Sequence, residues 1–255
     1  MTHSTISLNK GSLKLWAIIV WILVWQIISM VIGQEILLVS PVSVIVRLME
    51  LIKEYKFWQA IIFSLERIVS GFLLALVLGC ISAGISHSVK LVGELLKPVV
   101  LVMKSTPVAS FIILCLIWIP TKNLSIFISF LMVFPIVYTN MYEGIDNIDK
   151  KLLEMSKVFK IPLLKRIRYI YISETMPYLK SACMVSLGLS WKSGIAAEVI
   201  GKPVGSIGAI LYEAKIYLDT KDVFAWTVVI ICASVIFEKL FLYLLDKLIK
   251  AIERM

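Results

Sequence analysis

The sequence predicts an all-α membrane protein of about six transmembrane helices, and three observations carry that expectation. Hydrophobic residues make up 60% of the 255 positions and charged residues 17%. With a mean hydropathy of +0.93, a water-soluble domain of this length could not hide so much apolar surface, whereas a bundle facing lipid need not. The apolar residues also gather in runs of the roughly 20 that a helix needs to cross a bilayer. Finally, the excess of basic residues, +9 in net charge, sits in short loops and at the chain ends, where cytoplasmic Lys and Arg are expected. That distribution argues against a nucleic-acid partner, which would call for a basic stripe on a folded surface.

Leu13 to Ile32 is the first expected span, with Lys10 and Lys14 marking its cytoplasmic side. Its apolar core is longer than that of a cleaved signal peptide and holds Trp16, Trp21 and Trp25, so it reads as a retained helix. Ser40 and Pro41 then make a cap and first-turn pair. Val44, Ile45, Leu48, Met49, Leu51, Ile52 and Tyr55 recur on one face, opposite Ser43, Arg47, Glu50 and Glu54, which predicts an amphipathic helix along the outer interface with an ordinary packing role. Further spans are expected at about Phe57–Ile85, Val99–Ile119, Leu124–Tyr142, Thr175–Ile200 and Val223–Leu245. Pro98, Pro107 and Pro135 fall inside or at the edges of these helices and are expected to kink or break them.

Six crossings return both termini to one side. The segment from Lys150 to Arg168 carries Lys150, Lys151, Lys157, Lys160, Lys165, Arg166 and Arg168 against the single acid Glu154, which puts it, with the tail bearing Lys247, Lys250 and Arg254, in the cytoplasm. Cys80, Cys115, Cys183 and Cys232 lie in apolar runs without CxxC spacing, and His3 and His87 stand alone, so neither a disulfide framework nor a zinc site is implied. The chain divides into an N-terminal span with the outer amphipathic helix (1–56) and a transmembrane core (57–250) that includes a cytoplasmic loop at about 143–173. There is no internal repeat and no room for a second folded domain in the loops.

Lys192 and Glu198 stand inside the fifth span, in GLSWKSGIAAEVIG. An isolated charge at the bilayer centre costs on the order of 3 kcal/mol, so such groups face a cavity, a partner or the interface. Gly188, Ser190, Ser193, Gly194, Ala196 and Ala197 make the span small-sided, which permits close helix contact or leaves room for a solute. Lys192, Ser193 and Glu198 are accordingly the candidates for a translocation path. Two readings stand: Lys192, the deeper of the two, lines that path, where its charge suits an anion, or both Lys192 and Glu198, the latter near the outer end of the span, snorkel to the interface.

From Glu154 to Pro177 the sequence EMSKVFKIPLLKRIRYIYISETMP resembles the loop signature of bacterial ATP-binding-cassette importer permeases, E-A-A, three residues, Gly, nine residues, I-x-L-P. Glu154 takes the acidic position and Ile170 and Ile172 the apolar ones. Met155 and Ser156 replace the alanines, Lys160 stands for Gly, and Ser173 replaces the proline. Lys in place of Gly puts the tight turn in question, since Lys takes a positive φ only at a cost; Pro162 is a substitute helix stop. VSPVSVIVRLMELIKEYKFWQAIIFSLERIVSGFLLALVLG, GLSWKSGIAAEVIG and SIGAILYEAKIYLDTKDVFAWTVVI are similar to the corresponding parts of permeases in the nitrate, sulfonate and taurine importer group, in order and from about Leu38 onward.

The resemblance implies a type I importer permease fold in a bacterial cell membrane, with both termini cytoplasmic. It also implies partners: two cytoplasmic ATPases, a second permease subunit that is usually identical, and an extracytoplasmic solute-binding protein. ATP and Mg would be bound by the ATPase, since this chain has no GxxxxGK[ST] loop and no cofactor of its own is expected. Glu154, Lys157, Val158, Phe159 and Lys160 become the candidate coupling residues. Glu154, placed near a helix start, is either a first-turn acid favoured by the helix dipole or a partner contact. Val158 and Phe159 either enter a groove on the ATPase or, in the case of Phe159, fold back onto the membrane surface. The solute, on the resemblance, is a small organic or inorganic anion. An intramembrane serine hydrolase is the alternative from another class, but GxSxG is absent and His87 falls in a short loop; a self-sufficient secondary transporter lacks its usual repeat.

Overall fold

The helices are α1 (Leu15–Ile32), α2 (Pro41–Leu51), α3 (Tyr55–Ser88), α4 (Lys90–Ser105), α5 (Val108–Cys115), α6 (Thr121–Asp146), α7 (Lys150–Val158), α8 (Leu163–Arg166), a π-helical turn Ile167–Tyr171, α9 (Ile172–Gly201), α10 (Ile207–Ile216) and α11 (Thr220–Glu253). They belong to a computed structural model that describes residues 15–253. His3, Lys10, Lys14, Arg254 and the first residues of the first expected span lie outside the described residues.

The architecture is set by a stripe of small residues. Gly71, Ala75, Gly79 and Ala83 recur every fourth position on α3, all buried, and this face receives α6. A Cβ on Gly71 would come 2.3 Å from the Ile126 carbonyl oxygen, and one on Gly79 would come 2.8 Å from Val137 Cγ1. Only the absence of a side chain lets the two backbones approach this closely, the usual way helices associate where lipid offers no hydrophobic drive between them. α6 then packs against α9 on its other side, where Ser129 Oγ donates to the Ser190 carbonyl at 3.1 Å. α9 also touches α3, α5, α10 and α11, which makes it the innermost helix.

Six helical stretches, α1, α3, α4–α5, α6, α9 and α11, correspond to the six expected crossings. Among the described residues α3, α6 and α11 are long and apolar enough to cross a membrane, and α4–α5 is a fourth span if that bent pair is counted as one. α1 is shorter and apolar, whereas α9 is long but polar, carrying Glu174, Lys180, Lys192 and Glu198. Helices around α9 shield much of that polarity, which is why composition alone understates it. The third span departs from expectation. In place of one helix at Val99–Ile119, α4 begins at Lys90 and α5 leaves it at 106°. The break lies at Thr106-Pro107: Thr106 is extended (φ −82, ψ 130), as a residue before proline prefers, and Pro107 has no N–H to continue the helix. Pro98 and Pro135, by contrast, sit within continuous helices.

Arg47 ties α2 to the start of α11, its Nε donating to Asp222 Oδ1 and a terminal nitrogen to Oδ2 at 3.2 Å. Donating to the Asp222 carboxylate raises the Arg47 pKa above its already high ordinary value, so the guanidinium stays charged. Spacing places Arg47 only on the polar face of an interfacial helix; pairing between distant residues is invisible to periodicity. The apolar face of α2 is also narrower than expected, with Val44 and Leu51 buried while Ile45 and Met49 are exposed; Tyr55, expected on the same helix, is exposed at the start of α3. Ser40 caps the helix as anticipated, its Oγ accepting from Ser43 N at 3.1 Å. His87 is not in a loop but in the last turn of α3, its ring 6.3 Å from that of Tyr142.

Candidate coupling and translocation sites

The basic segment between α6 and α9 folds into α7, a left-handed turn, α8 and the π turn. α7 begins with Asp149, whose carboxylate accepts from Lys151 N at 2.9 Å. Glu154 is therefore in the middle of α7 and exposed, not in its first turn, and the dipole argument for it passes to Asp149. An acid one residue before the basic run was the missed signal.

The helix ends in a full double hydrogen-bonded stop: Lys160 N donates to the Lys157 carbonyl at 3.0 Å and Ile161 N to the Ser156 carbonyl at 2.9 Å. This requires the residue between Phe159 and Ile161 to be left-handed, and Lys160 is, at φ 48. The turn that Gly normally provides is thus kept with Lys in its place. Lys160→Gly is expected to stabilise this segment by about 1 kcal/mol by removing the Cβ strain. Slower amide exchange across residues 156–161 in the variant is the check, and faster exchange would contradict it.

Val158 and Phe159 flank that stop at 77% and 73% exposure, so nothing among the described residues covers either. Leu163 and Leu164, which the sequence reading passed over, are exposed beside them. These four apolar side chains share one short segment with the exposed Lys157, Lys160 and Lys165, an apolar patch in a basic stretch, and a small recess of ≈ 280 Å³ opens between Phe159, Pro162, Arg166 and Tyr169. Such a patch costs free energy in water unless a partner covers it.

On α9 the three path candidates are separated. Lys192 is exposed; Ser193 is buried and donates to the Leu189 carbonyl at 2.9 Å; Glu198 is completely buried. Glu198 accepts from Ser64 Oγ at 2.6 Å and from Gly208 N at 3.3 Å, while Ser64 Oγ accepts from Ile207 N at 3.0 Å. The carboxylate therefore holds the N-terminus of α10 against α3 and α9. α10 lies between the last two expected spans, in a stretch to which the sequence reading assigns no element. The cue was present in Ser206 ahead of an apolar run, since its Oγ accepts from Ala209 N at 3.0 Å. Gly208 is required at this junction, because a Cβ there would come 2.3 Å from Glu198 Cβ. Glu198→Ala leaves a buried N–H and hydroxyl without their acceptor, so a loss of about 1–3 kcal/mol is expected. Thermal unfolding in detergent measures it, and an unchanged midpoint would remove the anchoring role.

Residues 75–254, most of the chain, match the family described as binding-protein-dependent transport system inner membrane component. The chain belongs to that family. The permease is 29% identical over 206 residues to the nitrate import permease protein NrtB of Synechococcus elongatus, covering 76% of this chain and 73% of that one. It is 27% identical over 214 residues to SsuC of Bacillus subtilis, named for aliphatic sulfonates transport, with 82% and 76% covered. The bicarbonate transport system permease protein CmpB of Synechocystis is 28% identical over 161 residues, with 62% and 56% covered. The permease is accordingly an ATP-binding-cassette importer subunit integral to the membrane, and its family works with a binding protein.

Proposed function

We infer that this permease carries a small anion such as nitrate, a sulfonate or bicarbonate, and is driven by ATPases docked on the segment from α7 to α8. The family match supports the transport role, and the names of its relatives support an anion. The observation that carries the coupling assignment is the uncovered patch of Val158, Phe159, Leu163 and Leu164 among lysines. Its apolar residues are the anchors and its charges the rim of an interface. Glu154 and Lys157 are exposed on α7 and belong to that rim.

A second permease subunit, identical to the first, completes the path, because one copy leaves the Lys192 face of α9 uncovered. Lys192 lines this path, about two thirds of the way along a helix where lipid would penalise it. ATP and Mg bind to the ATPases alone. ATP binding draws those subunits together, and α7, hinged by the left-handed Lys160 turn and the π turn, passes the motion into α9, shifting the bundle between two packings. The α7 end faces the cytoplasm with both termini, as the basic charge of the segment supports.

A cysteine at position 159 tests this reading. In membranes holding the ATPase it is expected to crosslink to that subunit and to resist impermeant thiol reagents added outside intact cells. Labelling from outside would invert the topology and sink the coupling role.

A further inference from the structure

At the end of the bundle opposite α7, the start of α3, the turn after α9 and the body of α10 enclose a recess of ≈ 380 Å³. Lys56 and Gln59 line it from α3, Lys202 and Val204 from the turn, and Tyr212 and Glu213 from α10. The ion pairs found among the described residues use Arg47, Lys180 and Lys221, so neither Lys56 nor Lys202 has a carboxylate within salt-bridge distance. Glu213 on the same wall offsets one of the two charges and leaves the recess cationic. The Lys202 ammonium does not swing free in water: it is held 3.8 Å from the centroid of the Tyr212 ring. Its backbone is left-handed at φ 51, a conformation that glycine or asparagine enters with less strain. A helix stop alone gives no reason for lysine there.

We propose that this recess is a landing site for a small singly charged oxyanion, nitrate or a sulfonate head group, held between the Lys56 and Lys202 ammonium groups with the Gln59 amide as a further donor. The proposal deepens the reading of the chain as an anion permease and rests on it for the direction of passage. Two unpaired ammonium groups in a concave wall concentrate anions locally. The room suits a small oxyanion with part of its hydration shell. Glu213 keeps the excess charge small, and a site on a path must release what it catches.

The test uses the complete permease–ATPase complex in nanodiscs, a neutral amine-acylating reagent and peptide mass spectrometry. Sodium nitrate and sodium ethanesulfonate are the probes, with sodium chloride at equal ionic strength as the control. Near twice the dissociation constant, occupancy leaves about one third of the sites open, so acylation of Lys56 and Lys202 is expected to fall about threefold. Exposed Lys53, outside the recess, serves as the internal reference. Lys202→Asn keeps the left-handed turn while removing the charge, and it should abolish protection of Lys56 by either probe. Equal protection by chloride, equal protection of Lys53, or undiminished protection of Lys56 in Lys202→Asn overturns the site. Uptake of the two probes by the wild-type complex is measured alongside in sealed proteoliposomes with the cognate binding protein. Uptake without protection rejects the recess and leaves the anion permease standing; protection without uptake supports the recess and rejects the assigned cargo.

Discussion

Phe159→Asp is expected to release the ATPase from an otherwise intact permease. The ring is 73% exposed in the isolated chain, so the substitution disturbs no packed core. In the complex it would bury a carboxylate without a dedicated partner in an apolar groove. Loss of an aromatic anchor costs about 2 kcal/mol or more, about thirtyfold in dissociation constant, before the desolvation of the new charge is counted. Copurification of the ATPase should therefore fail while the unfolding midpoint of the permease stays the same. Wild-type retention of the ATPase would take Phe159 out of the interface and leave the membrane surface as the cover for its ring.

Lys192→Met should have the opposite profile, with assembly kept and transport lost. Met retains much of the unbranched stem and removes a charge that is costly in the bilayer, so insertion and ATPase binding are not threatened. An anion in a constriction, however, loses its attraction to the ammonium. At an effective dielectric constant of about 20, two unit charges about 6 Å apart attract by roughly 3 kcal/mol, enough for a fall in uptake of about tenfold or more. Reconstituted uptake with the cognate binding protein, using nitrate and ethanesulfonate, measures it. Unchanged uptake would favour a snorkelling lysine that never meets the solute.

These two residues differ in how far the sequence could take them. Val158 and Phe159 are apolar side chains in a segment whose basic charge puts it outside the bilayer, so the sequence alone marks them as candidates for a partner surface, and the fold leaves them exposed. Lys192, Ser193 and Glu198 sit within two turns of one helix, and adjacency suggested a shared task. A helix turns about 100° per residue, so position on the circumference, not distance along the chain, decides what each one meets. Lys192 is outside and Glu198 inside, and only the packing of α3 and α10 shows which side is which.

The sequence by itself determined that the chain is a helical membrane bundle, which stretches are apolar enough to cross, and that a basic segment from Lys150 to Arg168 interrupts them. Those properties depend on composition and local periodicity, which each segment carries independently of the others. Tertiary structure alone decided the 106° break after Ser105, the seating of the α10 N-terminus on Glu198 and Ser64, the Arg47–Asp222 tie and the burial of Glu198. Each depends on contacts between distant segments. Ser64 and Glu198 are 134 residues apart and Arg47 and Asp222 are 175 apart, and a carboxylate's role is set by the donors that reach it in space.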